Sequence, residues 1–293
     1  MSENIAAWFT EKIRDQVIVS YQAFGGYLDN TMMSGDVVAN TVKFPIIGRT
    51  EVYKLTGAIE RVPAAGPGLS TVQMTFDDFE ASDFWRVQDA YKAGPNEQAA
   101  LSQILVNAVR RKRDTIKLDA LAAFVAAGGN GTATIGNGTA KIDILDLETA
   151  RAQMAGAAVD DEIYCVLPAM WMSQLCFYKE FADGHWVGLA NAPFSMQQRL
   201  KTRTVRGVNY IELPDEYFVG KDGTSLYAYM WAKNAMGAET PWNQESPSIS
   251  KQELLQGSPY LIKTGLGGAA IGIQGLGVKR LDFLKIAAPV RPT

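Results

Sequence analysis

The chain has 293 residues, 47% hydrophobic and 20% charged, a balance that excludes a disordered or fibrous protein and suffices for one large core or two smaller ones. Net charge is −3 and the isoelectric point about 5.4, so the chain lacks the whole-domain basic footprint of a dedicated nucleic-acid-binding protein. Cys165 and Cys176 have no further cysteines to pair with, which points to buried thiols rather than a disulfide framework or zinc. No apolar run reaches the roughly 18 residues that cross a bilayer, and no signal peptide opens the chain, so a cytoplasmic protein is expected.

From Ser2 to Phe24, Ile5, Phe9, Ile13, Val17 and Tyr21 recur every fourth position with charges between them, predicting an amphipathic helix that ends at Gly25-Gly26. Residues 41–56, TVKFPIIGRTEVYKLT, and 70–76, STVQMTF, have strand composition, with Val72, Met74 and Phe76 on one side. GAIERVPAAGPG between them suits an exposed tip, so a long hairpin should project from the body. Such a hairpin is marginal alone and needs a surface to lie on.

After an acidic stretch, Pro95 and Asn96 open the longest helical pattern, with Asn96 as its cap and Gly128-Gly129 as its stop; at 1.5 Å per residue it would run roughly 46 Å. NGTATIGNGTAKI reads as a hairpin with turns at Asn130-Gly131 and Asn137-Gly138. Beyond Asp143 come a helix with Leu145, Leu147, Ala150 and Met154 as apolar positions, a buried strand IYCVLP, a helix AMWMSQLCFYKEF, and the strands GVNYIELP and SLYAYMWA. Residues 182–204 have no periodicity and read as a long loop, and SPYLIKTGLGGAAIGIQGLGVKRLDFLKI returns to strand-like alternation.

Residues that could carry chemistry are few. His185 is the single histidine, which argues against imidazole metal sites and a serine–histidine triad. Gly265, Gly267 and Ala270 satisfy a G-x-G-x-x-A dinucleotide fingerprint, but the residues that follow are too glycine-rich for the helix that should face a pyrophosphate, so a strand is favoured. Asp77-Asp78 and Asp160-Asp161 are adjacent pairs whose carboxylates tend to point apart, as solvated surface or salt-bridge partners. No catalytic, cofactor-binding or metal residue is assigned, and no enzyme is expected.

Within NAVRRKRDTIKL, residues 107–118, four basic residues stand in succession at 110–113. On a helix they span about 300° of circumference, so they cannot form one stripe facing DNA. They read as distributed ion-pair partners, internally with Asp114 and externally with acidic groups of an adjoining subunit.

The order of helical arm, two-stranded loop, long helix, mixed α/β region and terminal strands resembles the major capsid protein of tailed bacteriophages with the Hong Kong 97-type fold. The residues that carry the resemblance are EQAALSQILVNAVRRKRDTI, with Arg110, Arg113, Asp114 and Ile116, then VKFPIIGRTEVYKLTG and STVQMTFDDFEASDFW. It implies an α+β fold with an N-terminal arm at 1–40, an extended loop at 41–76, a peripheral domain at 77–142 and 256–293 that holds a spine helix, and an α/β axial domain at 143–255. It also implies assembly of the chain with itself into hexamers and pentamers, in an icosahedral head around double-stranded DNA held by non-specific contact. The shell would be built in the bacterial cytoplasm and end in the virion, without cofactor or membrane.

Inter-subunit contacts are expected at Trp8, Phe9, Val52, Tyr53, Ile59, Arg61, Val62, Arg110 and Arg113. Scaffolding, portal and decoration proteins are further partners that the resemblance allows. The chain lacks a long charged N-terminal segment of the sort some relatives use as a fused scaffold, and Lys43 and Lys54 on the loop do not by themselves identify a cross-link. The alternatives are an encapsulin-like nanocompartment shell, which shares the fold, a DNA binder using Arg110 to Arg113, and a cytoplasmic α/β nucleotide-binding enzyme.

Overall fold

The computed structural model describes residues 21–38, 40–50, 52, 54, 66–85, 95–128, 131–182, 202–218 and 223–290. In chain order the elements are β1 (Val37–Val38), β2 (Thr41–Ile47), β3 (Leu69–Thr75), β4 (Asp77–Trp85), α1 (Pro95–Ala127), β5 (Ala133–Gly136), α2 (Ile144–Gly156), β6 (Ile163–Pro168), α3 (Ala169–Leu175), α4 (Lys179–Ala182), β7 (Thr202–Val205), β8 (Val208–Leu213), β9 (Ser225–Ala232), β10 (Met236–Lys251), β11 (Tyr260–Gly272) and β12 (Val278–Leu284). The described strands form three sheets, ordered β1-β2-β3, β10-β11-β4 and β5-β12-β9-β6-β8-β7.

Helix α1 has 33 residues, so it runs about 50 Å. Pro95 is its first residue, where a missing N–H costs no helical bond; Asn96 therefore lies inside the first turn rather than capping it. Val109, Leu118, Leu121 and Val125 are buried along it, and so are Asn107, Asp114 and Lys117. That interleaving of polar and apolar groups on the inward side is why the helix carries no clean apolar stripe.

The C-terminal part of α1 joins the main core, where Leu118 and Leu121 meet Leu147, Ala150 and Met154 of α2 and the six-stranded sheet, including Leu167, Trp231, Leu281 and Phe283. Helix α2 begins with a reciprocal cap in which Asp143 accepts from the Leu145 N–H and Asp146 accepts from the Asp143 N–H. Leu145, expected among its apolar contacts, is 69% exposed. The segment from Ala169 is not one helix but two short ones, α3 and α4.

Two expectations change in this region. The segment around 131–142 forms no hairpin: β5 pairs in parallel with β12, Ile135 opposite Leu281. Asn137 accepts from the Thr139 N–H and hydroxyl, and the Gly138 N–H donates to the Asp282 carbonyl, so the turn directs the chain onto β12 instead of back on itself. The loop expected through residue 204 ends in strand β7, which pairs with β8 through a tight turn at Arg206-Gly207, both at positive φ.

Sheet membership also groups the strands differently from the division expected at residues 143 and 256. Strand β10 pairs with β11, which in turn pairs with β4, whereas β12 inserts between β5 and β9.

Candidate assembly interface

The hairpin is built from β2 and β3, antiparallel with Val42 opposite Met74 and Phe44 opposite Val72. At its base Val42, Phe44, Met74 and Phe76 are buried against Ala269, Ile271 and Ile273. The Phe44 ring fits because residue 237 is glycine: a Cβ there would lie 2.5 Å from Cζ. Burying such a ring is worth about 2 kcal/mol, which fastens the base of the hairpin to the body.

Further out the burial ends. Ile47 and Leu69 are 70% and 77% exposed, and Val52 is 97% exposed. Three large apolar side chains therefore stand in water along one element. The first strand stops at Ile47 rather than continuing to residue 56, although the Gly48 N–H still donates to the Gly68 carbonyl at 2.8 Å. Of the other expected contact residues, Trp8, Phe9, Tyr53, Ile59, Arg61 and Val62 lie outside the described residues, as does His185.

The second feature is the root of the N-terminal arm, where residues 22–31 are clamped to the middle of α1. Asp114, fully buried, accepts from the Tyr27 and Leu28 N–H groups, both at 3.1 Å, and from the Tyr217 hydroxyl at 3.4 Å. Lys117 donates to the Leu28 carbonyl at 2.7 Å and to Asp29 at 3.2 Å. Burial pushes the Asp114 carboxyl above its ordinary pKa and the Lys117 ammonium below its own, and in each case the neighbouring partners offset part of the shift.

The basic run does point several ways, as its spacing requires. Arg110 pairs with Glu245 at 2.5 Å; Arg111 donates to the Gln22 side chain; Lys112 sits 4.5 Å from the centroid of Phe79; and Arg113 pairs with Asp29 at 2.6 Å and Glu245 at 3.6 Å. Within one chain the carboxylates that meet the basic run are Glu245 and Asp29. Asp114, expected as an internal partner of the basic run, instead serves the backbone of the arm root. Arg110 and Glu245 are each more than a third exposed, so water screens the pair. Arg110→Ala should lower subunit stability by less than about 1 kcal/mol in urea unfolding, with a larger loss in assembly yield measured by light scattering.

Among the described residues no group of three or more His, Cys, Asp or Glu side chains is placed to hold a metal, and no helix is long and apolar enough to cross a membrane. Cys165 is fully buried, and burial pushes its thiol far above the ordinary value. Gly265, Gly267 and Ala270 lie within β11, whose glycines sit against neighbouring strands rather than at the start of a helix.

The fold sets a long helix on an antiparallel sheet beside a second, mixed sheet, with a hairpin and the root of an N-terminal arm fastened to that body. The fold is similar to the capsid of Cyanophage P-SCSP1u (TM-score 0.69, 12% identity, covering 92% of this chain and 91% of that one). It is similar as well to a structure of Mycobacterium phage Che8 (0.66, 13%, 91% and 94%) and to the capsid of Myoviridae phage XM1 (0.64, 13%, 97% and 100%). No curated protein sequence matches the chain.

The chain belongs to the phage capsid protein family, whose model matches residues 5–285. By family and fold it is a major capsid protein of the Hong Kong 97 type, a structural subunit of a phage head.

Proposed function

We propose that copies of this chain form hexamers and pentamers that close into an icosahedral shell around double-stranded DNA, assembled in the bacterial cytoplasm and retained in the virion. The observation that carries this reading is the hairpin, anchored by Phe44 at its base and exposing Ile47, Val52 and Leu69 beyond it. Laid across a neighbouring subunit, those side chains leave water, and many weak contacts in a closed shell sum to a strong one. Trp8 and Phe9 on the arm and Tyr53, Ile59, Arg61 and Val62 on the hairpin join this contact surface. Arg110 and Arg113 serve it from within, by fixing the arm root and β10.

In this reading α1 with β4, β10 and β11 forms the peripheral domain, and the six-stranded sheet with α2, α3 and α4 the axial domain. DNA contact is non-specific, as suits a chain of net charge −3, and scaffolding, portal and decoration proteins act on the assembled surface. The role is structural and needs no catalytic residue or cofactor. A match to phage capsids does not favour the nanocompartment alternative. Purified protein viewed by electron microscopy should show shells or capsomers; a strictly monomeric species at high concentration, with and without a scaffold, would overturn the reading.

A further inference from the structure

The glycine run at 265–268 has a use that does not involve a nucleotide. On β11, Ile262, Thr264 and Leu266 are buried, on the side where Lys112 of α1 lies over Phe79. Gly265 and Gly267 open to the other side, opposite Glu80 and Asp78 on β4, with Trp242 of β10 opposite Gly267. A Cβ at Gly265 would lie 2.7 Å from Trp242 Cη2, and one at Gly267 2.6 Å from Asp78 Oδ1. The two glycines let an indole and a carboxylate rest on bare backbone. Even so, Trp242 is 47% exposed, and with Asp78, Phe79 and Glu80 it lines an open recess of about 480 Å³. Glu80 reaches Lys263 only at 3.8 Å.

An exposed indole face flanked by two carboxylates is the chemistry that holds a lysine or arginine. The charges of the chain indicate where that cation comes from. Strand β4 carries Asp77, Asp78, Glu80 and Asp83 and no basic residue, while residues 41–76 carry Lys43, Arg49, Lys54 and Arg61 against Glu51 and Glu60. Lys43, Arg49 and Lys54 are exposed. A shell of identical subunits supplies one such hairpin for every recess.

Resting on the shell-assembly reading, we infer that the Trp242–Asp78–Glu80 recess receives a basic side chain from the projecting hairpin of a second copy. The indole supplies a flat face and the carboxylates supply charge, so the contact selects register between subunits as well as adding affinity.

The test is in vitro assembly of purified subunits, followed by light scattering and electron microscopy. Asp78→Lys with Glu80→Lys should lower shell yield about tenfold, and so should Arg49→Glu with Lys54→Glu. The fourfold variant that exchanges both sets should recover to within about threefold of the parent. Asp78→Asn with Glu80→Gln, which removes charge without adding length, should give an intermediate yield and guards against misfolding of the lysine variant. Carboxylate variants that assemble within about twofold of the parent, or a fourfold variant as defective as either half, would overturn this inference and leave the shell reading standing. A parent that forms no shells would overturn both.

Discussion

Asp114→Ala is expected to destabilise the unassembled subunit by about 3 kcal/mol, because it strands two buried backbone donors and the Tyr217 hydroxyl at once. The Tyr27 and Leu28 N–H groups lose their acceptor, while Lys117 keeps its bonds to Asp29 and the Leu28 carbonyl. Urea unfolding should show the loss, and hydrogen exchange should show faster opening at residues 22–31 than in α2. A variant as stable as the parent would mean that the arm root is held elsewhere.

Asp114→Asn adds a pH test. Burial raises the carboxyl's folded-state pKa above its unfolded value of about 3.9, so the folded chain holds the proton more tightly. Its contribution to stability is then fully present below the unfolded value and lost as pH rises through the folded one. The stability gap between parent and Asp114→Asn should therefore widen as pH is lowered from 7 through that window. A gap that narrows on acidification would contradict the assignment.

Replacing residues 49–67 by Asn-Gly should lower shell yield by at least about tenfold while leaving subunit stability within about 1 kcal/mol of the parent. The ladder already reaches Gly48 and Gly68, so a two-residue turn can close it without disturbing Val42, Phe44, Met74 or Phe76. The two readouts separate a part that folds the subunit from one that joins subunits. Shells at parental yield would remove the hairpin from the assembly surface, and a large fall in subunit stability would make it part of the core.

Local pattern revealed the elements whose burial alternates or is continuous: β2 and β3, the long helix, and the apolar strands β6, β8 and β9. It did not reveal β10, whose 16 residues include Pro241 and Pro247 and whose pairing is interrupted by two irregularities. Strand β4 is largely exposed on both faces, so it has no apolar alternation and owes its form to pairing with β11. The basic cluster was legible as a set of diverging charges but not in its partners. Glu245 lies 135 positions from Arg110, Asp29 lies 84 from Arg113, and the Tyr27 N–H lies 87 from Asp114. Spacing along one helix carries no information about contacts of that range. Trp242 shows the same limit from the other side: pattern favours a strand for Gly265 and Gly267, but not that an indole from β10 rests on them.

Strand β12 occupies an interior place in the six-stranded sheet, between β5 and β9, although it is the last strand of the described chain. While the polypeptide is still being synthesised, β5 and β9 must wait with unpaired edges, and Phe283 and Leu281 are missing from the core. Non-local pairing of this kind is slow and cannot be completed by a partial chain. A ribosome that stops before residue 278 therefore releases a product without a finished sheet. The order of strands thus makes synthesis through β12 a condition for a finished six-stranded sheet, so the fold closes late however early its first strands emerge.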